Sequence, residues 1–174
     1  MRVKSDVRSV RRSLILREST MRRLRFLREH TEADSDSEIV RKALMYYEQL
    51  CDDSTSGREL IVRGSDSETA IPKTEDFDEP TSEEGASIKR TLVLHEKSAA
   101  RLDALCVINA VSASELVRDS LIVYEKLVDN TLLGRKLIVR DHRNNDETQY
   151  FIPVSRPIPP KRRPSTLLHT IGFT

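Results

Sequence analysis

Along the first seventy positions the apolar residues change their spacing twice. Leu14 and Leu16 alternate with Ser13, Ile15 and Arg17, a period of two that predicts a short strand, although Ile15 makes its outer face unusually apolar. From Met21 the spacing lengthens: Met21, Leu24 and Leu27 recur at helical intervals with arginines between them, and Ser19 or Thr20 is the expected N-cap. The stretch TEADSDSE is polar, and within it Ser35 precedes Glu38 by three positions, as in a capping box. Val40, Ala43, Leu44, Tyr47 and Leu50 then mark one face of a second helix. Gly57 lies beyond its end, and Leu60, Ile61 and Val62 open a hairpin expected to close near Ile71.

The whole succession then occurs again. Residues 35–63 align without a gap on residues 112–140, with 16 of 29 positions identical. Upstream, RSLILRESTMRRLRFL lies over RTLVLHEKSAARLDAL, with one extra residue between the blocks in the first copy, and downstream the second copy is four residues longer. Such indels belong in turns. In the second copy Leu92 and Leu94 alternate with Thr91, Val93 and His95, Ser98 is the expected cap, and Ala99, Leu102 and Leu105 continue at helical spacing. Ser112 with Glu115 repeats the capping box; Val117, Ser120, Leu121, Tyr124 and Leu127 repeat the stripe; Gly134, Leu137 to Val139 and Ile152 repeat the hairpin. A duplication organises the chain. Residues 1–10 form a basic arm, 11–72 repeat 1 with its hairpin, 73–87 an acidic linker, 88–153 repeat 2 with its hairpin, and 154–174 a Pro-rich basic tail.

Composition adds that the core is aliphatic, with 5% aromatic residues and no Trp. The balance of 29 basic against 28 acidic residues hides a segregation: ten Arg or Lys stand in the first thirty positions against Asp6, Glu18 and Glu29, whereas the linker is acidic. No apolar run approaches the roughly 20 residues of a membrane helix, and no signal-peptide pattern follows the basic N-terminus, so a cytoplasmic protein is expected. Cys51 and Cys106 lie in helical patterns without a CxxC or a companion His, which predicts buried reduced thiols. His30, His95, His142 and His169 are scattered, and no Ser, His and Asp constellation is ordered as a nucleophile site. No catalytic residue, metal or cofactor is expected, and the chain is not expected to be an enzyme.

One strand and two short helices cannot stand alone, because the strand lacks a sheet partner and the helices expose an apolar face. Pairing the strands of both copies solves both problems. The order of strand, helix, polar turn with Ser-x-Ser-Glu, and helix resembles the ribbon-helix-helix (MetJ/Arc/CopG-like) family of DNA-binding proteins, in the tandem single-chain form of TraY-like relaxosome accessory proteins. The resemblance implies an α+β, mainly α fold: two ribbon-helix-helix repeats forming an intramolecular pseudodimer with a two-stranded antiparallel ribbon, each repeat followed by a β-hairpin.

It also implies a mechanism. A two-stranded ribbon fits the major groove, with its outer face toward base edges. Base contacts would come from Arg11, Ser13, Ile15, Lys89, Thr91 and Val93. Phosphate contacts would come from Arg12, from Arg17 and His95 at the strand ends, and from the second-helix N-termini at Ser35, Ser37, Ser112 and Ser114, where Asp34 and Asp36 weaken the first anchor. The implied function is sequence-specific binding of double-stranded DNA, as a transcriptional repressor; the alternatives are an accessory protein of a conjugative relaxosome and an antitoxin-type interaction module. Partners would be DNA, a protein held by the tail or hairpins, no membrane, and further copies of a monomeric pseudodimer on DNA. Each feature also has a plainer account. The alternating strands fit an ordinary sheet edge, Arg22, Arg23, Arg25 and Arg28 a solvated helix face, and Tyr47 and Tyr124 core positions.

Overall fold

The computed structural model describes residues 8–71 and 86–155. The expectations for the first residues of the basic arm, for most of the acidic linker and for most of the tail fall outside these. Strand β1 (Ser9–Arg17) leads directly into helix α1 (Glu18–His30), followed by α2 (Asp36–Thr55), β2 (Arg58–Arg63) and β3 (Glu68–Ala70). The second half repeats the order as β4 (Ser87–His95), α3 (Glu96–Asn109), α4 (Ala113–Leu132), β5 (Lys136–Asp141) and β6 (Glu147–Tyr150).

The expected mainly α architecture of two ribbon-helix-helix repeats, each closed by a hairpin of its own, is corrected by this arrangement. The described residues form an α+β fold with four helices and two separate antiparallel sheets, about 50% helix and 28% strand. One sheet pairs β1 with β4; the other has four strands in the order β3-β2-β5-β6. The hairpins are therefore not separate appendages. They join through β2 and β5. The reason lies in Leu60, Ile61 and Val62, and in Leu137, Ile138 and Val139, apolar triplets that offer carbon to both faces of their strands. An isolated two-stranded hairpin leaves such faces wet. Joined, all six residues are buried.

On the inner face of this sheet Leu60, Val62, Leu137 and Val139 enter the same core as Leu14, Leu16, Leu92 and Leu94 of the two-stranded sheet and the inward residues of all four helices. The outer face is sealed differently. Ile61 stands opposite Ile138 at the centre of the register, and these side chains are only 2% and 5% exposed although they lie outside that core. Around them the guanidinium of Arg63 bonds Glu68 and, at 2.9 Å, Glu147, while Arg140 bonds Glu147 at 2.7 Å and Glu68 at 3.1 Å. The four charges close a ring of alternating sign. Hydrogen bonds from Arg63 and then Arg140 pull the Glu147 carboxyl down to about 2 and lower Glu68 as well.

Helix starts also depart from expectation. α1 and α3 follow their strands without a turn, so their N-caps are Arg17 and His95 in extended conformation, with no side-chain cap. Ser19, Thr20 and Ser98 lie inside the first turn and are buried. The second-helix caps are as expected: Ser35 accepts from the Glu38 amide, and Ser112 forms a full capping box with Glu115. Of the apolar positions expected at helical spacing, Met21 and Leu50 are only partly buried and the others are buried. Both cysteines are free and half-buried, rather than fully buried as expected.

Candidate nucleic-acid interface

In β1 and β4 the alternation is realised as two faces. Leu14, Leu16, Leu92 and Leu94 point into the core, whereas Arg11, Ser13, Ile15, Lys89, Thr91 and Val93 are exposed, Ile15 at 63% and Val93 at 49%. Both branched apolar side chains thus stand in solvent on a face that nothing in the described structure covers. The register pairs Arg11 with Val93, Ser13 with Thr91, and Ile15 with Lys89. Ser13 and Thr91 are also equivalent positions of the duplication, so an internal two-fold passes between them. Their hydroxyl oxygens lie 3.4 Å apart. Ile61 and Ile138 are likewise both partners and equivalents, which places the same kind of symmetry at the centre of the second sheet.

The exposed face is thus three rows. The middle row holds two hydroxyls; each flanking row sets one cation beside one branched apolar side chain. Arg17 and His95 lie at opposite ends of the sheet and are exposed. Arg12 does not belong to this face. It points inward, with its guanidinium bonded to Asp103 of α3, because even-numbered positions of β1 face the helices.

Ser35 and Ser112 cap their helices through Oγ, as above. Ser37 and Ser114 have a use that sequence reasoning missed. The Val93 amide donates to Ser37 Oγ at 3.1 Å, and the Ile15 amide donates to Ser114 Oγ at 3.1 Å. Each N-terminus therefore grips the edge of the strand belonging to the other repeat. These strand N–H groups point away from the sheet partner, so the serines satisfy donors that a two-stranded sheet leaves open. Only their identity at equivalent positions in both copies signalled such a role.

Beside the first tether lies a cleft of about 140 Å³ lined by Ser35, Ser37, Arg41, Val93, His95 and Ser98, among others. It combines hydroxyls, a helix N-terminus and two basic side chains, a set suited to an anion. Glu38 borders it, and its carboxyl is lowered first by the hydrogen bond from the Asp34 amide and then by Lys42. Its charge is offset by Lys42 at 3.2 Å and Arg41 at 3.8 Å. Glu115 at the other N-terminus is lowered by its bonds to Ser112, the side chain first.

The helices beneath are stitched across the two-fold. Arg23 of α1 bonds Glu125 of α4 at 2.8 Å, and Arg101 of α3 bonds Glu48 of α2. Arg23 thus leaves the solvated set in which its spacing placed it, while Arg22, Arg25 and Arg28 remain exposed. Among the described residues no helix is long and apolar enough to cross a membrane, and no group of three or more His, Cys, Asp or Glu is arranged to hold a metal. Searches of family models, curated proteins and solved structures give no match to this chain.

Proposed function

We propose that the chain binds double-stranded DNA in a sequence-specific manner, by laying the exposed face of the β1–β4 sheet in the major groove, and that it acts as a transcriptional repressor. The observation that carries this reading is the register of the six exposed residues. A major groove about 12 Å wide admits a two-stranded sheet, and base edges there offer acceptors on guanine and a methyl on thymine. Arg11 beside Val93 and Lys89 beside Ile15 supply the matching chemistry twice, a donor for guanine O6 and N7 and an apolar contact for the thymine methyl. The central hydroxyls donate or accept as the middle base pair requires.

Ser37 and Ser114 hold the sheet edges against the N-termini of α2 and α4, so phosphate contacts there and base contacts on the sheet are geometrically linked. Arg17, His95 and Arg41 border the strand ends, where phosphates would pass. The flanking rows differ, Arg with Val against Lys with Ile, so the preferred site need not be palindromic.

The test is selection of bound fragments from a random DNA pool at moderate salt, with the intact chain and with a Ser13→Ala, Thr91→Ala double variant. A defined motif recovered by the first, and changed or lost at its centre with the second, supports readout by this face. Recovery of the same motif by both, or of none by the intact chain, refutes it.

A further inference from the structure

Helices α1 and α3 are equivalents in the duplication, yet their outer faces have diverged completely. On α1 that face carries Arg22, Phe26, Glu29 and His30. On α3 it carries Ala100, Ala104, Val107 and Ile108, spaced so that they form one stripe along the helix. All four are exposed, Val107 at 82% and Ile108 at 76%. The opposite side of α3 is already buried through Ala99, Leu102 and Leu105. A helix that is apolar on both sides is built to be covered on both.

The charges around the stripe indicate what covers it. Lys97 lies on the same face at the N-terminal end, while the last turn of α3 holds no basic residue; the last turn of α1 holds Arg28 and His30. The C-terminal dipole of α3 therefore lacks a cation of its own. Two α3 helices packed antiparallel would bring Lys97 of each to that end of the other, with Ala100 and Ala104 allowing close approach and Val107 and Ile108 filling the contact. We infer that this stripe is the contact between two copies of the chain, joined isologously through antiparallel α3 helices.

Since α1 presents Arg22, Phe26, Glu29 and His30 where α3 presents the stripe, each molecule has one such face, and the assembly closes at two copies rather than growing into a filament. The area is small, on the order of 300 Å² per copy against the ~800 Å² per partner of a stable interface. Association is accordingly weak in free solution and appears at high concentration, or when two copies are held side by side.

Sedimentation velocity on the full chain decides the matter. The expected result is a monomer of 19.9 kDa at micromolar concentration and a rise toward the dimer approaching about 1 mM, in the weak range of affinity. A Val107→Glu, Ile108→Glu double variant, whose positions are too exposed to threaten folding, should lose that rise with an unchanged circular dichroism spectrum. A second readout uses an Ala104→Cys variant in a Cys51→Ala, Cys106→Ala background, which should form a disulfide-linked dimer on oxidation faster than Arg25→Cys in the same background. A chain that stays monomeric throughout, an association unaffected by the double variant, or equal cross-linking at both positions would overturn the proposal.

Discussion

Replacing Ile61 by Ala separates the joined four-stranded sheet from two independent hairpins more sharply than any other single change. In separate hairpins this outward side chain would lie in water, and its loss would cost within about 0.5 kcal/mol, as surface substitutions do. In the joined sheet it is 2% exposed, packed opposite Ile138 and ringed by Arg63, Glu68, Arg140 and Glu147. Ile to Ala removes three carbon groups at roughly 0.8 kcal/mol each, about 2.4 kcal/mol from transfer alone, and the unfilled cavity raises the expected loss into the range of about 2–5 kcal/mol. Urea unfolding at neutral pH, followed by circular dichroism, measures it as a lowered midpoint at constant slope. Because Ile138 is its direct neighbour, a double-mutant cycle with Ile138→Ala should give a coupling of about 0.5 kcal/mol or more. A loss below about 1 kcal/mol together with strict additivity would refute both the seal and the joining of the hairpins.

The same ring makes stability depend on pH. Glu147 ionises near 2 in the folded chain against an ordinary 4.5, so its contribution is complete above about pH 4.5 and is lost as pH falls toward 2; the gap in urea midpoint between the wild type and Glu147→Gln should be constant from pH 7 to 5 and close below pH 4.5. Leu94→Ala should destabilise by about 2–5 kcal/mol in the same assay, whereas Thr91→Ala, one turn of the pleat away on the exposed face, should leave the midpoint nearly unchanged and cost about 1–3 kcal/mol only in binding to a selected DNA site. Ser37→Ala and Ser114→Ala should each cost about 0.5–1.5 kcal/mol by removing one acceptor for a strand amide, with hydrogen exchange speeding at Val93 and Ile15 respectively; unchanged exchange at both amides would show that the tethers do not hold.

The alternation at Leu14 and Leu16, the helical stripes, the N-caps at Ser35 and Ser112 and the capping box at Ser112 were legible because each follows from side-chain direction within one element. The second sheet was not, although a trace of it stood in the chain: Leu60, Ile61 and Val62 do not alternate, and an unbroken apolar run signals a strand covered on both faces. What covers those faces is supplied by the other repeat, and local spacing carries no information about it. For the same reason the spacing around Arg12, expected as a phosphate contact, does not reveal its ion pair with Asp103 of α3. The spacing of Arg23 fits a solvated side chain because its partner, Glu125, lies in the opposite half. The caps at Ser19, Thr20 and Ser98 failed on local grounds: the strands run straight into the helices, and those hydroxyls fall in the buried first turn. The six exposed residues of the candidate interface needed only the strand and its inward leucines, so that set was legible. The grip of Ser37 and Ser114 on the opposite strands was not.

The pairing of β1 with β4 also sets the order in which the chain becomes a protein. β1 is made before β4, and this partner begins roughly 70 residues after β1 ends, a wait of several seconds at ~5–20 residues per second. During that interval α1 and α2 coil beside a strand that has no sheet partner, and the contacts that Arg23 and Ser37 make across the two halves await residues not yet made. At that stage the inward leucines of β1 and the apolar faces of its helices lack the partners that the second half contributes to the core. Completion of β4 closes the first sheet, and the exposure ends only when α4 and β5 have followed, because Glu125, Ser114 and Leu137 to Val139 come from them.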